Sequence, residues 1–312
     1  MEIGITGVDP TTFPEMAAWH WHIALYLFLG GLVAGIMIIS AVLRLRRSPG
    51  FDRGLRIAEI SAVPLACVGL FALFLDLGNG WNAWRFFATF QVTSAMSWGS
   101  WILLFAMIVL VVRATIHTQD LTFRSGWWTR PLDLLSRIGR ILGRKSRAID
   151  YSAIVLGIAL GAYTGILLST IPARPLWDSM ALAPLFLVSG LTVGGAFICL
   201  FLEREPHLRL VPLIVTLCAV ELALIAGFMA TLLMGPAPLQ AAGELLLGGR
   251  YALGLWGGVV VLGLLVPVSI EIAEVARRKV PPLLSSIAPY LKMSGGLVLR
   301  FVIVYAGVAS VL

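Results

Sequence analysis

Charge is what this 312-residue chain has least of. Asp, Glu, Lys and Arg make up 12% of it, about half the ~25% of a soluble domain, which excludes a water-facing globular fold. Cysteine is nearly as scarce. Cys67, Cys199 and Cys218 all fall in apolar stretches and form no CxxC pair, which argues against a disulfide framework or an intrinsic iron–sulfur cluster. Histidine is limited to His20, His22, His117 and His207. A bis-histidine haem needs one ligand from each of two helices at matching depth; His20 and His22 share one helix, and the other two lie outside the apolar stretches, so no intrinsic haem is expected. Strand-like alternation is missing, which excludes a β-barrel. Met1–Met16 lacks a basic leading segment and precedes a full-length apolar run, so no signal peptide is expected.

What is present is hydrophobicity: 59% apolar residues and a mean hydropathy of +0.94. A membrane span needs ~20 apolar residues. Spans are predicted near Ile23–Leu43, Ile57–Leu77, Trp98–Val112, Tyr151–Ile171, Met180–Leu202, Leu210–Met234, Tyr251–Ile270 and Ser294–Leu312. The expected fold is an all-α membrane protein of eight transmembrane helices.

The loops between them alternate in basic content. Arg44, Arg46, Arg47, Arg53 and Arg56 follow the first span. Arg113, Arg124, Arg130, Arg137, Arg140, Arg144, Lys145 and Arg147 follow the third. Arg204 and Arg209 follow the fifth, and Arg277, Arg278, Lys279 and Lys292 the seventh. The alternate loops hold only Arg85, Arg174 and Arg250. The basic side is the cytoplasmic one, so both termini are expected outside. The same rule accounts for the net charge of +7, leaving no reason to invoke nucleic acid. Pro131–Leu142, with Leu132, Leu135, Ile138 and Leu142 on one helical face, reads as an interfacial amphipathic helix or as a plain solvated loop.

A faint internal repeat relates Leu27-Phe28-Leu29-Gly30-Gly31-Leu32 to Leu185-Phe186-Leu187-Val188-Ser189-Gly190-Leu191. It suggests two four-helix halves, 1–171 and 172–312. The small residues suit close helix approach.

Ionisable groups inside spans are costly and mark function or ion pairing. His22 lies at the outer end of the first span, with Tyr26 one turn below on the same face. Asp76 ends the second, Trp98 begins the third, and Tyr163 lies about 12 Å inside the fourth; Arg174 follows in the outer loop. An imidazole, a carboxylate and two phenols thus converge at one depth. They suit a quinone head group, whose reduction requires two protons and hydrogen bonds to two carbonyl oxygens. Tyr26 and Trp98 equally suit an interfacial aromatic belt. Glu221 is mid-span, Arg300 is expected one to two turns into the last span, and Glu59 and Glu271 lie near cytoplasmic ends. Glu59, Glu221 and Arg300 read either as a proton path or as structural ion pairs.

Five stretches carry a resemblance. They are Trp19-His20-Trp21-His22-Ile23-Ala24-Leu25-Tyr26 with Leu29-Gly30-Gly31; Asp76-Leu77-Gly78; Ser94-Ala95-Met96-Ser97-Trp98-Gly99-Ser100-Trp101; Tyr163-Thr164-Gly165-Ile166-Leu167-Leu168; and Arg174-Pro175-Leu176-Trp177 leading into Leu185-Phe186-Leu187-Val188-Ser189-Gly190. In this order they resemble the polysulfide-reductase/NrfD family of quinone-reactive membrane subunits. The resemblance covers most of 19–195; beyond Phe201 it rests on hydropathy. It implies two four-helix bundles in a bacterial inner membrane. It also implies menaquinone or ubiquinone at the outer end of the first bundle, and no haem. Its implied partners are a four-cluster iron–sulfur subunit and a molybdopterin-type or other redox enzyme. Tyr163 matches a quinone-contacting position. Tyr26 stands where some members have histidine, which leaves the proton donor open between His22, Tyr26 and Asp76. The expected activity is quinone/quinol oxidoreduction with coupled proton uptake or release, functional only with the partner subunits. A secondary transporter built on the repeat and a purely structural anchor of a redox enzyme are the alternatives.

Overall fold

The computed structural model describes residues 21–76, 84, 91–92, 94–117, 143, 146–170, 174–276 and 281–310. His20, Arg85 and the expected interfacial helix at Pro131–Leu142 lie outside the described residues.

Eight helices are long and apolar enough to cross a membrane. They are α1 (Trp21–Leu45), α2 (Asp52–Asp76), α3 (Ala95–His117), α4 (Ser146–Ser169), α5 (Leu182–Cys199), α6 (Arg204–Leu233), α8 (Leu253–Val275) and α9 (Pro282–Ala309). The short α7 (Ala237–Leu247) joins α6 to α8. At 1.5 Å per residue, the 25-residue α1 is about 37 Å long, enough for a hydrocarbon core of ~30 Å. Among the described residues every regular element is a helix. A helix satisfies its own backbone groups where lipid offers no partner. Pro64, Pro212 and Pro289 lie inside α2, α6 and α9, tolerated where neighbouring helices surround the freed carbonyl.

Two departures from the sequence reading concern α7 to α9. α7 was not foreseen. α9 starts at Pro282, not Ser294, so Arg300 lies about 27 Å from its start rather than one to two turns in. Lys292 breaks the apolar run, yet it is buried against Glu271, and its charge therefore does not end the helix. The first half of α8, Leu253–Leu265, is a π-helix, pressed on α9 where Gly263 meets Gly295.

The helices pack as two rings. α1–α2–α3–α4 closes on itself, and α5–α6–α8–α9 does the same. α1 also packs along α5 and α9, and α4 along α5. Burial follows this layout: 83% of the most apolar window of α1 is buried, against 22% for α3. Outward-facing Phe71, Phe105, Val155 and Leu262 present the apolar surface that lipid contact requires.

The faint repeat has a physical counterpart. Gly31 faces Gly190, and Gly35 faces Gly190 and Gly194. α1 and α5 run in the same direction, so two small-xxx-small segments meet in register. That arrangement lets backbones approach without side chains between them.

Candidate functional site

α1 and α3 begin, and α2 and α4 end, at the face of the first ring opposite the basic loops. The polar residues singled out above fall here. Tyr26 is buried. With Gly30 and Val33, four and seven residues further on one helical face, it walls a cavity of about 30 Å³. Ala66, Gly69 and Leu70 of α2, Leu103 and Met107 of α3 and Leu160 of α4 close it. This volume holds about two waters; a ring-sized guest requires the α2 and α3 side chains to part. Tyr163 of α4 is buried and is an electrostatic neighbour of Tyr26. His22, half-buried, lies against Trp21 with ring centroids 4.0 Å apart and the ring planes tilted by 34°. Asp76 is the half-buried last residue of α2.

The structure therefore buries Tyr26 and Tyr163 as neighbours, with His22 and Asp76 at the same end of the ring. Two other residues bond to backbone carbonyls. Trp98 is half exposed and donates from Nε1 to the Val92 carbonyl at 2.8 Å. Arg174 donates to the Val308 carbonyl at 2.6 Å, and Trp177 Nε1 to Ile303 O at 3.0 Å. The Arg174–Trp177 segment is thereby strapped to the end of α9.

The sequence reading missed Gly99. A Cβ there would overlap the ring tip and hydroxyl of Tyr163, so α3 forms the cradle that fixes the phenol. Gly99→Ala is expected to destabilise by about 1–3 kcal/mol, the usual cost of overpacking. Adding Tyr163→Ala should recover part of it; thermal melts of the three variants check this, and no recovery would refute the cradle.

Glu59 belongs to a separate cluster at the basic end of the first ring. Arg44 grips it with two hydrogen bonds, at 2.9 and 2.8 Å. Arg113 reaches the same carboxylate at 2.5 Å, Ser40 Oγ at 3.0 Å and Met37 O at 3.1 Å. Asp150 lies 3.4 Å from Arg113. Each helix of the ring contributes one charge, and the four balance.

Glu221 and Arg300 lie in the second ring, apart from Glu59. Arg300 donates to Ser189 Oγ and, at 3.0 Å, to Phe186 O, and lies over the Phe186 ring. Glu221 faces Ser189, Thr192 and the field of Arg300. The expected ion pair is thus mediated through Ser189 rather than closed directly. Toward the basic end, Lys292 pairs with Glu271 in full burial, and His207 stands 3.6 Å from Glu274. A cavity of about 480 Å³ opens beside that last pair. Among the described residues, no group of three or more His, Cys, Asp or Glu side chains could hold a metal ion.

The family model described as "Polysulphide reductase, NrfD" matches residues 10–311. Protein NrfD of Escherichia coli (strain K12) is 30% identical over 95% of this chain and 97% of its own length. A polysulfide reductase component of Wolinella succinogenes is 29% identical over 93% and 94%. A selenate reductase component of Mesobacillus selenatarsenatis is 23% identical over 63% of this chain and 50% of its own. With a match that runs from before the first helix to the end of the last, the chain belongs to the polysulphide reductase/NrfD family of membrane subunits of redox complexes.

Proposed function

We propose that this protein exchanges electrons between the quinone pool and an iron–sulfur partner, with the quinone head group at the Tyr26–Tyr163 end of the first ring. The observation that carries the reading is the burial of two neighbouring phenols, Tyr26 and Tyr163, with Tyr26 lining an apolar cavity; His22 and Asp76 stand at the same end of the ring. The donor set fits the group: phenols and imidazole donate to carbonyl oxygens, and His22 and Asp76 can hand protons on. The apolar walls suit an isoprenoid tail. A bound menaquinone or ubiquinone would supply two-electron chemistry. The chain's own residues would orient the ring, exclude water and hold the protons at Tyr163, Tyr26, His22 or Asp76. Relatives named as components of polysulfide and selenate reductases support a complex with a four-cluster iron–sulfur subunit and a molybdopterin-type or other redox enzyme. By the positive-inside rule the basic end is cytoplasmic in a bacterial inner membrane, and the quinone end faces outward.

Tyr163→Phe and Asp76→Asn are expected to lower quinone turnover by about a hundredfold, the low end of what a positioned proton donor contributes. The complex should still assemble. Unchanged turnover in both variants would remove these residues from the site. Purification in mild detergent, with mass spectrometry of companion subunits and extracted lipid, tests the reading as a whole.

A further inference from the structure

We propose that the basic-end cavity of the second ring binds the headgroup of an acidic phospholipid whose headgroup also carries hydroxyls (the phosphatidylglycerol and cardiolipin class), with the acyl chains on the outward stripe of α9. This site goes beyond the quinone reading and does not depend on it.

The cavity has the size and the place of a headgroup site. Its volume is about 480 Å³, within the ~300–1,000 Å³ of small-molecule pockets. It lies where all four helices of the ring reach the basic end. Cys199 ends α5, Arg204 and His207 open α6, Glu274 is next to last in α8, and Ser285 and Tyr290 belong to the first turns of α9. Lipid headgroups lie at this level, where the spans stop. Basic pockets between helices on the cytoplasmic side are where acidic headgroups bind.

The side chains match a phosphodiester. Arg44, Arg113 and Arg209 each hold a carboxylate. Among the described residues Arg204 holds none, and it is exposed at the cavity wall. Its guanidinium presents a fork of donors that fits two phosphate oxygens. Half-buried Ser285 and exposed Tyr290 add hydroxyl donors from α9. His207 Nε2 and Glu274 Oε2 are buried and 3.6 Å apart, too long for a direct hydrogen bond. Neither atom has a hydrogen-bond partner, a rare condition for buried polar groups. A bare phosphate would leave the Glu274 carboxylate facing an anion. A headgroup hydroxyl instead donates to Glu274 Oε2 while the phosphate takes Arg204. His207, donor or acceptor by tautomer, serves either group.

Two further features select an acidic lipid. The sequence joining α8 to α9 is Arg277-Arg278-Lys279-Val280, and such polybasic segments attract anionic headgroups. Leu283, Ile287 and Tyr290 are exposed on one face of α9, successively four and three residues apart. Tyr290 also lines the cavity, so a headgroup seated there adjoins an outward apolar stripe. Acyl chains pack on that stripe; a soluble phosphate makes no use of it.

The test uses the full chain in detergent, stripped of lipid and titrated separately with phosphatidylglycerol, phosphatidylethanolamine and inorganic phosphate. Native mass spectrometry reads the bound lipid, and melting curves read stabilisation. Phosphatidylglycerol should give a saturable adduct and a raised melting temperature, phosphatidylethanolamine a weaker response, and inorganic phosphate none. Arg204→Ala should weaken apparent affinity for phosphatidylglycerol about tenfold, the worth of one charge-assisted hydrogen bond. Arg209→Ala, whose partners are Glu205 and the Pro49 carbonyl, should leave it unchanged. Should Arg204→Ala not be recovered, Tyr290→Phe decides, with a smaller loss of affinity expected. Parent-like affinity in the recovered variant overturns the site, and so does an equal loss in Arg209→Ala. An equal response to phosphatidylethanolamine overturns the selection of an acidic lipid. An equal response to inorganic phosphate makes the cavity a small-anion site, and no saturable adduct removes the lipid altogether.

Discussion

Arg113→Met is expected to cost the fold about 3–5 kcal/mol, the penalty for leaving buried charge uncompensated. Arg113 is 1% exposed and is the only one of the four clustered residues that touches helices α1, α2 and α4 at once, through Met37 and Ser40, Glu59, and Asp150. Methionine fills most of the volume but leaves Asp150 facing the site of a lost cation. Glu59 would keep Arg44. Adding Asp150→Asn to Arg113→Met should therefore recover part of the loss. Arg113→Lys keeps the charge but cannot fork between three acceptors, and should fall between parent and methionine variant. Thermal melts in detergent decide: a methionine variant that melts alongside the parent would mean the cluster is electrostatically idle.

Gly194→Leu should yield no folded protein. A Cβ at Gly194 would meet the backbone of Gly35 and Ile36, and one at Gly35 the Gly190 carbonyl. Overpacking usually costs about 1–3 kcal/mol because side chains can shift; backbone on backbone has nothing that shifts short of parting α1 from α5. Gly227→Leu is the control. It places the same side chain on α6 where nothing lies within 4 Å, and replacing a mid-helix glycine adds up to ~1 kcal/mol of helix propensity. Size-exclusion yield of the two variants separates the effects. Equal recovery of both would show that the glycine contact is not needed.

The eight spans were legible because long apolar runs have one solution in lipid. Their ends were less so, since hydropathy treats every charge as a stop. Lys292 lies inside α9 and Arg113 inside α3, each neutralised by a partner distant in sequence that hydropathy cannot see. The same blindness hid the four-charge cluster: Arg44, Arg113 and Asp150 read as loop residues and only Glu59 stood out. At the candidate site, the sequence offered only a shared depth for His22, Tyr26, Asp76 and Tyr163. Depth cannot say what a side chain bonds to: Trp98 donates to the Val92 carbonyl and Arg174 to that of Val308. Gly99 was invisible because its role is the space it leaves.

The packing of α1 against both rings bears on what motions this fold permits. Alternating-access carriers rock one bundle against the other about a central site, and such motion needs an interface that slides. Here the two rings meet backbone to backbone through Gly31, Gly35, Gly190 and Gly194, and Arg174 and Trp177 bolt the connecting segment to α9. The two halves are thereby close-packed along α1 and α5 with no room for one to slide on the other. Under the proposed quinone reading, any proton movement would then come from small rearrangements of side chains and water within that frame, with a stoichiometry set by electron count rather than by a conformational cycle.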